Sequence, residues 1–194
     1  MSSEPVLKEY MKARLANDFT LVEEWQGTDS YGFIVRIDFL AFPKPHLTNF
    51  PKQWFGIECK YRAEWGAGDA NELWSQALTY TQCTYRVAQG LVAIPFCLVF
   101  TNLNLPYSPK RAVKPDNWHV LQSLLGRHHV GQLVFWQTET LNWEIEFGTG
   151  QYFYHSKQGR SHNNSGIALY AGNVGNKRGL ITDYIQSRYY EGND

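Results

Sequence analysis

Apolar positions along the chain change period several times, and each change marks an element. Over residues 3–17, Leu7, Met11 and Leu15 recur four apart with Val6, Tyr10 and Arg14 alongside. That stripe predicts an amphipathic helix with Ser2 or Ser3 as its cap and Pro5 in the first turn. Residues 19–26, 31–42 and 53–62 switch to β-branched and aromatic runs and read as three strands. Gly27-Thr28-Asp29-Ser30 turns the first into the second, and Pro43-Lys44-Pro45 through Pro51 leads to the third. The helical period returns over 69–89, where Trp74, Ala77, Leu78, Thr81, Tyr85 and Ala88 recur at three- and four-residue intervals and Gly90 supplies a C-cap. Residues 91–101 (LVAIPFCLVFT) are almost wholly apolar, the mark of a central strand covered on both faces, with a bulge expected at Pro95. A Pro-rich connection over 105–115 leads to a helix at 116–128 and a hairpin of strands at 131–137 and 141–147. Residues 148–179, rich in Gly, Asn and Ser, read as a long loop or loose hairpin, and 181–189 closes as a short helix. The order is α-β-β-β-α-β, then α-β-β and a loop-rich end, which predicts an α/β fold.

Composition narrows the class. With 194 residues, 43% hydrophobic, 15% aromatic and 19% charged, the chain can build a substantial core, and one domain over 1–194 is expected. No apolar run reaches the roughly eighteen residues of a membrane span, and no charged segment precedes an apolar one at the start, so a soluble cytoplasmic protein without a membrane partner is expected. Cys59, Cys83 and Cys97 make no CxxC pair or zinc spacing and lie in apolar segments, where buried thiols belong.

The net charge of zero conceals an asymmetry. Residues 1–72 carry eleven acids and eight Lys/Arg, whereas 73–194 carry seven acids and ten Lys/Arg. Between Phe147 and Thr182 there is no acid, while Lys157, Arg160, Lys177 and Arg178 are present. Such a stretch is either a phosphate-contacting surface or an ordinary solvated loop.

The chemistry-bearing pattern lies in the second and third strands. Asp38 stands mid-strand among Ile34, Arg36 and Leu40 on the face that alternation assigns it. Glu58 and Lys60 share one face of the next strand, while Phe55, Ile57, Cys59 and Tyr61 take the other. Strand interiors disfavour charge, and a buried carboxylate without a partner costs several kcal/mol. A metal with the lysine as counter-charge answers that cost. The competing reading is a solvated cross-strand network of Arg36, Asp38, Glu58, Lys60 and Arg62.

Together these features resemble the PD-(D/E)xK nuclease superfamily, whose restriction-endonuclease-like core runs α-β-β-β-α-β. Asp38 matches the lone Asp of its motif and Glu58-Cys59-Lys60 its (D/E)-x-K. The Pro usually written before the Asp is Ile37 here. Gln76-Ala77-Leu78-Thr79-Tyr80 is similar to the Gln-x-x-x-Tyr motif of the RecB-like and lambda-exonuclease-like branch, and Glu4 to an acid that many members place on the first helix. The resemblance covers residues 1–102, leaving 103–194 as a hairpin and loop-rich elaboration. It implies Mg²⁺, with Mn²⁺ as substitute, held by Asp38, Glu58 and the Cys59 carbonyl. Lys60 would stabilise transition-state charge, and Glu4 would orient a metal-bound water or bind a second ion. By the resemblance Gln76 and Tyr80 would contact the nucleotide or brace the lysine; outside it, Arg62 and the basic residues of the acid-free stretch, Lys157, Arg160, Lys177 and Arg178, are expected to contact the substrate.

The resemblance thus implies a metal-dependent DNA endonuclease, site- or structure-specific, from a phage or mobile element, with a homodimer as one way to cut both strands. A RecB- or lambda-type exonuclease and a catalytically silent DNA-binding module of the same fold stay open, as does RNA as substrate. Serine-hydrolase, HExxH and P-loop signatures are missing from the sequence.

Overall fold

The computed structural model describes residues 3–47, 50–105, 113–135, 143–148, 152–157 and 160–161. Helix α1 spans Glu4–Leu15 and is followed by strands β1 (Phe19–Thr28), β2 (Ile34–Pro43) and β3 (Phe55–Lys60). Helix α2 (Ala67–Tyr80) leads to a short hairpin, β4 (Thr84–Val87) and β5 (Gly90–Ala93), and then to β6 (Cys97–Thr101). Helix α3 (Trp118–Leu125) connects β6 to β7 (Val130–Phe135), β8 (Trp143–Phe147), β9 (Tyr152–Lys157) and β10 (Arg160–Ser161). The fold is α/β.

The ten strands of the described residues share one mixed sheet in the order β10-β9-β8-β7-β6-β3-β2-β1-β4-β5. The β3–β6 and β6–β7 pairs are parallel and the others antiparallel. Parallel neighbours need crossovers, and α2 and α3 supply them. The helices divide the core in two. On one face Leu7, Met11 and Leu15 of α1 pack on Phe39, Phe55, Ile57, Leu98, Leu133 and Ile145. On the other, Leu73, Trp74 and Ala77 of α2 pack with Trp118 on Leu40, Cys97, Val99 and Val130. All five residues of β6 are buried, as an apolar run between two layers should be.

Two expectations for residues 69–101 are corrected. The helix ends at Tyr80 instead of continuing to Gln89, and Gly90 caps no helix. It pairs with Val87 across a two-residue turn, at φ +122°. Tyr85, in step with the helical stripe, is fully buried from a strand instead. Thr84 and Val87 favour extended backbone and open and close β4, and Tyr85 fits against the absent side chain of Gly27. The run 91–101 is not one bulged strand. Pro95 cannot donate to a ladder, so the chain leaves edge strand β5 at Ala93 and enters central strand β6 at Cys97.

The helix expected at 116–128 forms over Trp118–Leu125 and ends in a 3-10 turn, Gly126–His128. The loose-hairpin reading holds for β9 and β10, while the expected helix at 181–189 lies outside the described residues. Among the described residues no helix is long and apolar enough to cross a membrane.

Candidate active site

The β2–β3 ladder pairs only Phe39–Ala41 with Phe55–Ile57, and past Phe39 the strands cease to pair. Asp38 and Glu58 stand at this opening. The Cys59 N–H, which lies just beyond the ladder, instead donates to Asp38 Oδ2 at 2.8 Å, and the Asp38 N–H donates to Glu58 Oε2 at 3.4 Å. Both carboxylates are therefore tied to the backbone of the neighbouring strand, a preorganised arrangement.

Alternation also breaks at Asp38, correcting its expected face. Ile37 and Leu40 both join the α2-side core, although they lie three apart, while Phe39 joins the α1-side core. The β1–β2 register skips the Glu24–Asp38 pair, and Glu24 has left-handed backbone at φ 50°. Asp38 is thereby released from the row of Leu40 and reaches across to α1. There its Oδ1 accepts from Lys8 Nζ at 2.5 Å. The same ammonium lies 3.4 Å from Glu24 Oε1 and 3.7 Å from Glu4 Oε1.

A solvated network is not what forms. Glu58 is 5% exposed and the Asp38 side chain 13%. Burial raises the Asp38 carboxyl above its ordinary range, against the pull of the Lys8 ammonium and the Cys59 N–H. Burial, and then the charge of Asp38, push Glu58 up to about 8, although Lys8 and Lys60 draw it down. The cleft is short of positive charge.

The predicted residues divide by place. Asp38, Glu58, Lys60 and Glu4 come together, the last accepting from the Tyr61 N–H at 3.4 Å. Among the described residues no salt bridge holds Lys60. Gln76 and Tyr80 are not on a solvated face. Gln76 Nε2 donates to the Tyr80 hydroxyl at 2.8 Å, and that hydroxyl donates to the Arg36 carbonyl at 2.9 Å. The pair latches α2 onto β2 two residues before Asp38. Burial, and then the nearby Glu58, push the Tyr80 phenol pKa up. Arg62 turns to the start of α2, where its Nε donates to Asp69 Oδ1 at 2.9 Å. Lys157 and Arg160 lie on β9 and β10, with β9 four strand spacings from β3, about 19 Å. Lys177 and Arg178 lie outside the described residues.

Sequence reasoning missed Lys8 and Glu24. The signal for Lys8 was its place one helical turn after Glu4, and for Glu24 the Glu23-Glu24 doublet inside a strand.

The donors are hard oxygens, the two carboxylates with Glu4 beside them and the Cys59 carbonyl in the same strand, and they suit Mg²⁺ or Mn²⁺. Among the described residues no group of three or more His, Cys, Asp or Glu side chains is arranged to hold a metal ion. Two carboxylates short of counter-charge fit an ion that keeps most of its own water.

Tyr80→Phe tests the latch. It removes both hydrogen bonds and leaves the Arg36 carbonyl without this donor, an expected loss of about 1–2 kcal/mol by urea denaturation. An unchanged midpoint would mean the latch bears no weight. Compared with protein-family models, curated proteins and solved structures, the chain matches none.

Proposed function

We propose that this chain is a metal-dependent nuclease acting on DNA, an endonuclease of the PD-(D/E)xK type. The observation that carries the reading is the pair of carboxylates where β2 and β3 stop pairing, Glu58 buried and Asp38 mostly so, with Lys60 two residues further along the same strand as Glu58. The succession α1, β1, β2, β3, α2, β6 supports it, since β1–β2–β3 is an antiparallel meander and β6 runs parallel to β3 after a helical crossover. That is the arrangement expected of a restriction-endonuclease-like core.

In this reading Asp38 and Glu58 hold Mg²⁺ or Mn²⁺ with the Cys59 carbonyl. The bound ion supplies Lewis-acid polarisation of a phosphate and a lowered pKa for its water. Lys60 donates from its ammonium to phosphate oxygens as negative charge builds on them. Glu4 accepts a hydrogen bond from a water at the α1 side of the cleft. Gln76 and Tyr80 act indirectly, by fixing β2 beneath Asp38. The basic residues Lys157, Arg160, Lys177 and Arg178 would meet the DNA backbone, and a homodimer would bring two clefts to two strands.

Supercoiled circular DNA incubated with the protein and Mg²⁺ or Mn²⁺ tests this directly. Wild type is expected to give nicked or linear circles, and Lys60→Ala to cut at least about a hundredfold more slowly. Equal rates would remove Lys60 from the chemistry. Intact circles beside linear DNA shortened from its ends would replace the endonuclease by an exonuclease. The second reading, a silent DNA-binding module, is favoured by the ammonium of Lys8 on Asp38, and it predicts gel-shift binding without cleavage of either form.

A further inference from the structure

We propose that Lys8 is the free protein's own cation for the Asp38–Glu58 cleft, and that a divalent ion entering the cleft displaces its ammonium. The inference rests on the metal-dependent reading above and deepens it. Asp38 has two oxygens, and Oδ2 is committed to the Cys59 N–H, a backbone group that cannot step aside. Oδ1 is the oxygen with no backbone donor on it and so the more open approach for a cation, and Lys8 Nζ already sits there at 2.5 Å. Two cations on one carboxylate oxygen repel strongly in a half-buried site.

The lysine also has somewhere to go. Its stem is long and flexible, and the same ammonium already lies 3.4 Å from Glu24 and 3.7 Å from Glu4. Both acids are more exposed than Asp38, at 47% and 34% against 13%. Glu24 is also the one non-glycine residue in a described strand with left-handed backbone, a strained conformation that sets it opposite Asp38. Arg36 Nε steadies it at 2.9 Å. In the free protein Lys8 relieves the repulsion between the carboxylates. On ion entry it moves outward to Glu24, so metal affinity is set by a contest with the protein's own side chain.

Two measurements test this. The first is amine acetylation of the wild type read by mass spectrometry, with Lys12, which pairs with Glu9 and Glu23, as internal control. Saturating Mn²⁺ is expected to raise Lys8 reactivity about fivefold or more and leave Lys12 unchanged. Unchanged or reduced Lys8 reactivity in Mn²⁺-bound protein overturns the proposal, and this needs no substitution to fold. The second is calorimetric titration with Mn²⁺, where Lys8→Met is expected to bind about tenfold more tightly than wild type. Equal or weaker binding by Lys8→Met, with wild-type binding intact and lost in Glu58→Gln, sinks the contest but spares the metal reading. Absence of Mn²⁺ binding to both wild type and Lys8→Met at millimolar concentration overturns both.

Discussion

Glu58→Gln is expected to be more stable than the wild type above neutral pH and to cut DNA at least about a thousandfold more slowly. The two effects have one origin. Burial and the facing Asp38 push the Glu58 carboxyl from its ordinary 4.5 to about 8. A pKa raised on folding means that the folded state binds this proton more tightly than the unfolded chain does. The stability it contributes is complete below about pH 4.5 and is lost as pH rises through 8. Between pH 5 and 9 the loss reaches up to about 4 kcal/mol. Glutamine keeps an oxygen to accept from the Asp38 N–H but has no charge to strand, so the variant should lack this slope. Urea titrations in EDTA from pH 5 to 9 would show it. The variant should also lose the stabilisation that Mn²⁺ gives the wild type. A wild type and variant that stay parallel across the pH range would mean that Glu58 is solvated and the cleft is not the charged pocket described above. Keeping a group that destabilises the empty protein makes sense where a ligand supplies the missing charge.

How much of this could be read beforehand depended on which residues carried the signal. The α1 stripe of Leu7, Met11 and Leu15 is buried as its period requires, because a single helix face on a sheet is a local property. The three strands β1, β2 and β3 are equally legible from their β-branched and aromatic runs, though the turn expected at Gly27–Ser30 begins two residues later, because Gly27 and Thr28 pair with Val35 and Ile34. Tyr85 is not legible, since its spacing from Trp74 and Ala77 suits a helix while its contact with Gly27 is made across the sheet. Pro95 marks a disturbance in the sequence, but whether it bulges one strand or separates two depends on what pairs with each half. Within the site, Asp38, Glu58, Lys60 and Glu4 converge while Gln76 and Tyr80 brace β2 from behind, yet the face predicted for Asp38 is wrong. Strict alternation has no place for a strand that twists at one residue while its partner Glu24 adopts left-handed backbone. Lys8 was missed because a lysine beside a helical stripe ordinarily faces water, and only the reach of Asp38 toward α1 makes it part of the cleft.

Gly56→Val is expected to lose about 3 kcal/mol and, in the molecules that still fold, to weaken Mn²⁺ binding as well. Gly56 lies between Leu40 of β2 and Cys97 of β6. A Cβ there would stand 2.5 Å from Ile37 Cδ1, 2.8 Å from Ile94 Cδ1 and 3.1 Å from Cys97 Sγ. The first two atoms are ends of flexible side chains, so alanine should cost only about 1 kcal/mol. Valine adds two methyl groups that have nowhere to go. Ile37 is fully buried and immediately precedes Asp38 at the point where alternation breaks. The space Gly56 leaves open is what allows Ile37 to turn toward α2 and frees Asp38 to accept from Cys59. Displacing Ile37 therefore disturbs the carboxylate as well as the core. A double-mutant cycle with Ile37→Ala separates the two consequences. The pair should recover part of the stability lost in Gly56→Val, because the truncated side chain vacates the space valine needs. Mn²⁺ affinity should not recover, because the Tyr80 latch on Arg36 remains but the buried Ile37 side chain that anchors the next residue toward α2 is gone. Full recovery of both would show that Ile37 is only a steric neighbour, and that Asp38 is held by Cys59 and Lys8 alone.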